Sequence, residues 1–200
     1  MSDVIVSVAA VDRSRCAWAA SAPEYLAYHD EEWGTPLHGD DALFERLCLE
    51  AFQSGLSWIT ILRKRPAFRA AFAGFAIDAV AAFTEDDEAR LLADAGIVRN
   101  RAKVAAAIRN ARVAREIPEG LDALLWSFAP TAPRLRPATT ADVPSTSPES
   151  VAMARELKRR GFAFVGPTTA YALMQATGMV DDHVVGCFRA QDHERVRNAP

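Results

Sequence analysis

Two cysteines and two histidines near the ends of the chain have the residue types of a tetrahedral metal site. In MVDDHVVGCF, residues 179–188, His183 and Cys187 are four positions apart, which places them on one face if the stretch is helical. Cys16 and His29, near the N-terminus, supply the same pair of ligand types. Together they would form a closed structural zinc site joining the two ends of the chain. The spacing is not that of a zinc finger, so the alternative is surface histidines and buried thiols with no shared role.

A second group of residues combines aromatic rings with one carboxylate. The rings belong to Trp18, Tyr25, Tyr28, Trp33 and Trp58. An aromatic cluster beside a carboxylate makes a pocket for a flat polar ring, and Glu50 supplies the carboxylate. Glu50 lies at the border of the apolar face of its expected helix, where its alternative role is an ion pair with Arg46. Such a pair would be weak if exposed.

Basic residues are concentrated at three places in a chain whose net charge is −3. AGIVRNRAK, residues 95–103, joins two expected helices through a tight hairpin and holds Arg99, Arg101 and Lys103. These cations, with the backbone N–H groups of a helix start, suit a phosphate. RKR at 63–65 and KRR at 158–160 add two further basic stretches. A nucleic-acid surface is one interpretation of this pattern, and solvated helix ends are the other.

The bulk composition limits the class of protein. The chain has 200 residues, 50% of them hydrophobic, which is enough for one compact unit or two closely packed lobes. Three cysteines are too few for a secreted disulfide framework, and the N-terminal apolar run lacks the basic region of a signal peptide. No run of about 18 apolar residues is present, so no membrane span is expected. We therefore expect a cytoplasmic protein.

Helical periodicity dominates the chain, and alternating strand patterns are almost absent, so the sequence predicts an all-α fold. The expected helices cover residues 40–53, 84–96, 100–117, 121–128, 147–161 and 166–178. Thr84 and Ser147 are N-cap residues, and Gly161 and Gly178 are stop signals. The proline-rich stretch 129–148 is expected to be an ordered loop, as is the aromatic stretch 15–34. Cys48, within the first helix, is expected to be a core residue.

Several longer segments resemble the DNA-3-methyladenine glycosylase I family of bacterial alkylation-repair enzymes. The resemblance runs from Arg15 to about Phe188 and rests on RCAW, YLAYHDEEWG, LCLEAFQSGLSWITIL, AGIVRNRAK, DVPSTSPES and LKRRGFAFVGPTTAYALMQATGMVDDHVVGC. That family is similar to the helix-hairpin-helix glycosylases. The resemblance therefore implies a helical core over 40–128 that contains the hairpin, and a zinc-bound lobe built from 15–39 and 129–190. Tails are expected at 1–14, as a flexible segment, and at 191–200.

The resemblance also implies roles for individual residues. It implies one structural Zn²⁺ per chain on Cys16, His29, His183 and Cys187. It matches Glu50 and Tyr28 to the groups that hydrogen-bond the base, Trp58 and Trp18 to the aromatic walls, and Tyr25 to a nearby position. It matches the turn at Gly55-Leu56 to the wedge that enters the duplex, beside the phosphate-binding residues expected at Arg99, Arg101 and Lys103.

The hairpin departs from the pattern of the wider helix-hairpin-helix superfamily. Most members have a G-x-G hairpin and a catalytic Asp beyond it, whereas GIVRNR lacks the second glycine. The acid at a comparable downstream place is Asp122, in EGLDALLW. We interpret Asp122 as an acid in the first turn of a helix, where the helix dipole favours it.

The expected activity is hydrolytic removal of N3-methyladenine from alkylated double-stranded DNA by a monomer. The product is free 3-methyladenine. The cationic lesion already has a weak glycosidic bond, so the enzyme needs mainly to extrude and recognise it. No Schiff-base lyase step is expected, because the helical position and neighbours of Lys103 suggest a phosphate partner. Two other classes compete with this interpretation. A zinc-stapled DNA-binding protein without catalysis would not explain a carboxylate among aromatic rings. A small-molecule hydrolase using Asp122 would need a nucleophile or base motif that the sequence does not show.

Overall fold

The computed structural model describes residues 13–132 and 134–190, and this part of the chain is helical with no strand. The predicted all-α fold is confirmed. The α-helices are α1 (Pro23–Glu31), α2 (Asp40–Gln53), α3 (Trp58–Ala71), α4 (Ile77–Ala81), α5 (Glu85–Ala93), α6 (Arg101–Arg115), α7 (Leu121–Trp126), α8 (Pro148–Arg160) and α9 (Pro167–Ala176). Short 3₁₀ turns cover Ala17–Ser21, Ala73–Phe75 and Thr140–Asp142. None of the described helices is long and apolar enough to span a bilayer.

Helix α2 is the centre of the main core. It packs against α3, α6, α7 and α9, and it buries nine of its residues, including Leu43, Phe44, Leu47 and Phe52. Cys48 lies in the same core, as expected. Because α2 is surrounded by helices, even Glu50 near its C-terminal end is buried. The core therefore fixes the position of this carboxylate.

The predicted helix ends are largely confirmed. Thr84 forms a capping box with Asp87 at the start of α5, and Ser147 caps α8 in the same way. Gly161 ends α8 in the left-handed conformation, with φ of 106°, which a residue with a side chain rarely adopts.

Two stretches differ from the sequence-based expectation. The aromatic stretch 15–34, expected to be a loop, contains α1, which begins at Pro23 in the first turn, where the missing N–H costs nothing. No helix was expected over 58–71, yet α3 runs through Pro66 there. In both cases aromatic and basic residues are distributed around the helix, so an apolar stripe is hard to see. The helix is stabilised by tertiary contacts instead.

The N- and C-terminal segments pack against each other. The N–H of Phe188 donates to the carbonyl of Ser14 (2.9 Å), and the N–H of Gly34 donates to the carbonyl of Gln175 (3.1 Å). Gly178 allows this close approach, because a Cβ there would lie 2.6 Å from the backbone nitrogen of Pro36. The proposed lobe boundaries at 39, 40, 128 and 129 stay predictions, and the tails expected at 1–14 and 191–200 lie outside the described residues except at 13 and 14.

Candidate active site

A cavity of about 450 Å³ lies where the N-terminal segment, α2, α3 and α9 meet. Its lining residues are Trp18, Ser21, Tyr25, Tyr28, Trp33, Glu50, Gln53, Trp58, Thr140, Val143, Ala172, Gln175, Asp182 and Val184. A cavity of this size, lined by rings and a few polar groups, is typical of a binding site for a small flat ligand. The structure thus brings together all five residues that were expected to contact a base.

Aromatic rings form one side of the cavity. The ring centroids of Tyr28 and Trp58 are 5.5 Å apart, and those of Trp18 and Tyr28 are 6.3 Å apart. Trp18 also meets Tyr25 edge-on at 5.6 Å. Tyr28 is only 3% exposed, and burial raises the pKa of its phenol above the usual range. Tyr28 therefore remains a neutral hydroxyl group at every physiological pH.

The hydroxyl of Tyr25 fastens α1 to the start of α3. It accepts a hydrogen bond of 2.9 Å from the backbone N–H of Ile59. The adjacent Trp58 has a buried indole N–H with no acceptor among the described residues. A buried donor without a partner costs stability, so a group that enters the cavity and accepts from it would be favoured.

Glu50 is a buried carboxyl group that faces the cavity. It is 5% exposed, and no described residue donates a hydrogen bond to it. Burial raises its pKa from 4.5 to about 8, while the positive charge of Arg46 acts in the opposite direction. The alternative of an exposed ion pair with Arg46 is therefore excluded. The guanidinium of Arg46 instead donates to Glu32, which Arg65 also contacts at 2.6 and 2.7 Å.

The four candidate metal ligands converge beside the cavity. Cys16, His29, His183 and Cys187 are all buried, and their ligand atoms lie within 4.8 Å of one another. The Sγ atom of Cys187 lies 3.4 Å from Nε2 of His29 and 3.6 Å from Nδ1 of His183. The Sγ atom of Cys16 lies 3.7 Å from the same Nδ1. The structure thus contains a buried Cys₂His₂ cluster able to hold a metal ion.

The other nitrogen of each histidine has a partner outside the cluster. Nδ1 of His29 lies 2.8 Å from the carboxylate of Asp30. The single N–H of Arg15 Nε is shared between both oxygens of that carboxylate, and Nη2 of Arg15 donates to one of them. Nε2 of His183 lies 3.2 Å from the carbonyl of Trp33. Such contacts fix the ring orientation and direct the other nitrogen of each ring into the Cys₂His₂ cluster. The same contacts hold α1, and with it Tyr28, in place.

Comparison with known proteins agrees with this geometry. The family model described as "Methyladenine glycosylase" matches residues 18–190, which is most of the chain. The chain belongs to the methyladenine glycosylase family. It is 47% identical over 177 residues to DNA-3-methyladenine glycosylase 1 of Escherichia coli K12, a match that covers 86% of this chain and 95% of that protein.

Solved structures of methyladenine glycosylases have the same fold. The crystal structure of a 3-methyladenine DNA glycosylase I superposes with a TM-score of 0.83 at 45% identity, covering 88% of this chain and 98% of that one. A 3-methyladenine DNA glycosylase I from Staphylococcus aureus, solved to explain 3-methyladenine recognition, gives a TM-score of 0.82 at 35% identity. That match covers 87% of this chain and 95% of the other.

The turn between α2 and α3 lies beside the cavity, which Gln53 and Trp58 line on either side of it. Gly55 has a φ of +80°, which turns the chain sharply, and Leu56 is 41% exposed. The side chain of Lys103 stabilises this turn from the protein interior. Its ammonium donates to the carbonyls of Phe52 (2.9 Å) and Ser54 (2.5 Å), and it is only 8% exposed. The structure thus places Lys103 inside the protein and not, as the sequence suggested, on a phosphate-facing surface.

The expected hairpin between α5 and α6 covers residues 94–100. The side chain of Asn100 caps α6 by accepting from the N–H of Lys103, and Lys64 donates to the carbonyls of Ala95 and Gly96. Arg99 is exposed, and Arg101 is exposed with an ion pair to Glu88. Both arginines are therefore accessible to a ligand in solution.

Asp122 does not line the cavity. Its carboxylate accepts from the N–H of Gly39 (2.7 Å) and lies 3.0 Å from Nδ1 of His38. Although burial acts to raise the pKa of Asp122, these two contacts lower it. Asp122 joins the start of α7 to the loop before α2, in line with its interpretation as an acid at a helix start.

A second helical hairpin was overlooked in the sequence. Helices α8 and α9 pack against each other and are joined by residues 161–166, GFAFVG. Phe164 in this turn is exposed and has a φ of +59°, an unusual value for a bulky residue. A groove beside the turn is lined by Arg109, Arg155 and Lys158, and it reaches Ser54 next to Leu56. The sequence does contain a signal for this second hairpin, because a glycine stands at each end of the turn, at Gly161 and Gly166. Glycines do not flank the 94–100 hairpin in this way.

Proposed function

We propose that this protein is a DNA base-excision repair glycosylase that extrudes N3-methyladenine and removes it by hydrolysis. The observation that carries the proposal is the aromatic cavity with a buried carboxyl group that has no hydrogen-bond donor among the described residues. A relative named DNA-3-methyladenine glycosylase 1 and a solved structure named for 3-methyladenine recognition support it. Alkylated duplex DNA is the proposed substrate, and a monomer the proposed form.

The cavity has the groups needed to recognise a flat cation. N3-methyladenine in DNA carries a positive charge, and rings such as Trp18, Tyr28 and Trp58 attract a cation by about 0.5–2 kcal/mol each. An arriving cation also lowers the pKa of Glu50, so this carboxyl group ionises as the base binds. The ionised Glu50 then accepts from the exocyclic amine, and the hydroxyl of Tyr28 fixes the orientation of the ring. A neutral adenine would not lower the pKa of Glu50, so it would lack this charge-assisted contact and would bind less tightly.

Hydrolysis needs only a modest contribution from the protein. The bond between C1′ of the sugar and N9 of the base breaks with its electron pair moving to the base, which leaves as neutral 3-methyladenine. Water adds to C1′ and releases one proton to solvent. None of the described residues that line the cavity is a lysine, and the ammonium of Lys103 is engaged with backbone carbonyls. Both observations support water as the nucleophile and argue against a Schiff-base step.

The Cys₂His₂ cluster fits a structural zinc ion. Tetrahedral zinc with bonds of about 2.3 Å to sulfur and about 2.0–2.1 Å to nitrogen separates sulfur from nitrogen by about 3.6 Å. Three sulfur–nitrogen distances within the cluster are 3.4, 3.6 and 3.7 Å. With Cys16, His29, His183 and Cys187 as four protein ligands, no position remains for substrate. The ion would hold α1 and the C-terminal segment together, and so position Tyr28.

The proposed DNA surface consists of the elements that project beside the cavity. Leu56 would enter the duplex where the damaged nucleotide leaves it, and its exposure in the turn supports this role. The exposed Arg99 and Arg101 would contact phosphates in a helix-hairpin-helix arrangement. The groove beside the 161–166 turn offers Arg109, Arg155 and Lys158 for the same purpose. Lys103 is not part of the proposed surface, because its ammonium donates to backbone carbonyls of the turn that carries Leu56.

The deciding experiment measures free 3-methyladenine released from methylated duplex DNA by the purified protein. The wild-type protein is expected to release the base without cutting the strand, and a Glu50→Gln protein is expected to release much less. The matched control is Glu45→Gln, the same change on α2 at a residue that pairs with Arg69 away from the cavity. Binding of DNA without base release would instead favour a zinc-stapled DNA-binding protein. Cutting of the strand at the abasic site would contradict the hydrolytic mechanism.

A further inference from the structure

A second carboxylate lines the cavity, and it comes from the segment that follows α9. Asp182 is 5% exposed and lies on the wall built by α9 and the C-terminal segment, with Gln175 and Val184. Its Oδ2 atom accepts a hydrogen bond of 2.5 Å from the hydroxyl of Tyr171 and one of 2.8 Å from Nε2 of Gln175. Both donors stabilise negative charge on Asp182 and fix the plane of its carboxylate.

A cation behind Tyr171 strengthens this arrangement. Nη1 of Arg134 donates to the hydroxyl of Tyr171 (2.9 Å), and the guanidinium lies 5.5 Å from the centre of the ring. The hydroxyl of Tyr171 therefore accepts from Arg134 and donates to Asp182. Such a chain of polarised hydrogen bonds holds a buried anion more firmly than one isolated contact.

The other oxygen of Asp182 has no such partner. Among residues 13–132 and 134–190, none donates a hydrogen bond to Oδ1, and Asp182 lines the cavity. The neighbouring Asp181 differs, because its Oδ2 pairs with Arg136 (2.8 Å) and its Oδ1 accepts from the N–H of His183. Both carboxylate oxygens of Asp181 therefore bind groups of the protein, whereas Oδ1 of Asp182 remains available to a ligand in the cavity.

We propose that Asp182 is a further catalytic residue, which stabilises the positive charge that develops on the deoxyribose as the glycosidic bond breaks. This inference rests on the function proposed above. During cleavage the electron pair of the C1′–N9 bond moves to the base, so the positive charge moves from the base to the sugar. Glu50 and the aromatic rings attract the base, and Asp182 supplies the fixed negative charge on a separate wall of the cavity. A charge that the protein holds in a fixed position stabilises the developing charge more effectively than a freely moving charge in solution.

The reaction balances without any further reactant. Water adds to C1′, its proton leaves to solvent, and the base departs with the electron pair of the broken bond. Asp182 is unchanged at the end, since it acts by its charge alone. Tyr171 and Gln175 are positioning residues, because they act on the substrate only through Asp182.

The test separates binding from bond cleavage in an Asp182→Asn protein. We expect the single-turnover rate of 3-methyladenine excision from duplex DNA to fall about a hundredfold, the size of loss typical for one preorganised electrostatic group. The affinity for free 3-methyladenine, followed by tryptophan fluorescence, should change by less than about threefold, because the free base carries no developing sugar charge. Metal content and melting temperature are measured on the same preparation, since His183 is the next residue.

Asp181→Asn is the matched control, and it is expected to excise at the wild-type rate. Glu50→Gln provides the contrasting pattern, with excision and base affinity reduced together. Wild-type excision by a folded, metal-containing Asp182→Asn protein would overturn the inference, as would an equal loss of excision and base affinity. If Asp182→Asn does not fold, Gln175→Leu replaces it, with excision reduced and base affinity retained. Absence of excision by the wild-type protein would refute the proposed function itself, which keeps the two failures distinct.

Discussion

Replacing Glu50 by Gln should stabilise the protein while it removes activity. In the folded protein, burial raises the pKa of Glu50 from 4.5 to about 8. Above pH 4.5 the unfolded chain has lost this proton, whereas the folded protein keeps it up to about pH 8. The free energy of unfolding therefore falls by about 1.4 kcal/mol for each pH unit between pH 4.5 and about pH 8. Above about pH 8 both states have lost the proton, so Glu50 causes no further decrease. At pH 7 the cost of Glu50 is about 3 kcal/mol.

A glutamine at position 50 has nearly the same shape and no proton to lose, so it removes this cost. The Glu50→Gln protein should melt about 6–12 °C above the wild-type protein at pH 7, because about 1 kcal/mol corresponds to roughly 2–4 °C in a chain of this size. The two melting temperatures should converge near pH 4.5 and separate further up to about pH 8. Excision should fall about tenfold to a hundredfold, the loss expected for a charge-assisted hydrogen bond.

The assay is thermal unfolding by circular dichroism between pH 4.5 and 9, alongside single-turnover excision. Glu45→Gln, on the same helix but outside the cavity, should change the stability by less than about 1 kcal/mol and leave excision unchanged. Melting curves of wild-type and Glu50→Gln proteins that stay parallel with pH would refute the argument from burial. Normal excision by Glu50→Gln would remove Glu50 from the active site.

The remaining predictions concern the metal and the DNA surface. Cys187→Ala should reduce the zinc content from about one ion per chain to none and lower the melting temperature, whereas Cys48→Ala should lower the melting temperature alone; unchanged metal in Cys187→Ala would contradict the proposed site. Arg101→Gln should weaken binding to all duplexes alike and reduce the slope of log affinity against log salt by about one, and a loss confined to damaged DNA would place Arg101 in the pocket instead. Leu56→Ala should weaken excision from paired DNA by up to about thirtyfold, from about 2 kcal/mol of lost apolar contact. It should leave excision from single strands unchanged, and equal losses on both substrates would argue against a wedge.

Local signals explain which parts of the fold the sequence predicted. The capped helices α5 and α8 were placed correctly, because Thr84, Ser147 and Gly161 act on the backbone within a few residues of themselves. Helices α1 and α3 were missed, because their rings and charges serve the cavity, the Cys₂His₂ cluster and ion pairs, and so interrupt the apolar stripe that predicts a helix.

The candidate site likewise has residues that the sequence identified and features that only tertiary contacts determine. Residue types and a family resemblance were enough to name the four candidate metal ligands, Glu50 and the aromatic rings of the cavity, because ligand chemistry belongs to each side chain. They could not show that Lys103 points inward, since its partners are carbonyls of another helix, some 50 residues earlier in the chain.

The sequence by itself determined the all-α class, the family and the chemical identity of the site, because helix signals and side-chain chemistry are properties of short stretches. Only the tertiary structure decided which groups share the cavity. It buried Glu50 among the helices that pack around α2 and so raised its pKa, and it brought Asp182 to the same cavity from a segment more than 130 positions away. Burial and charge proximity depend on long-range packing, and for that reason the second carboxylate could be recognised only in the folded chain.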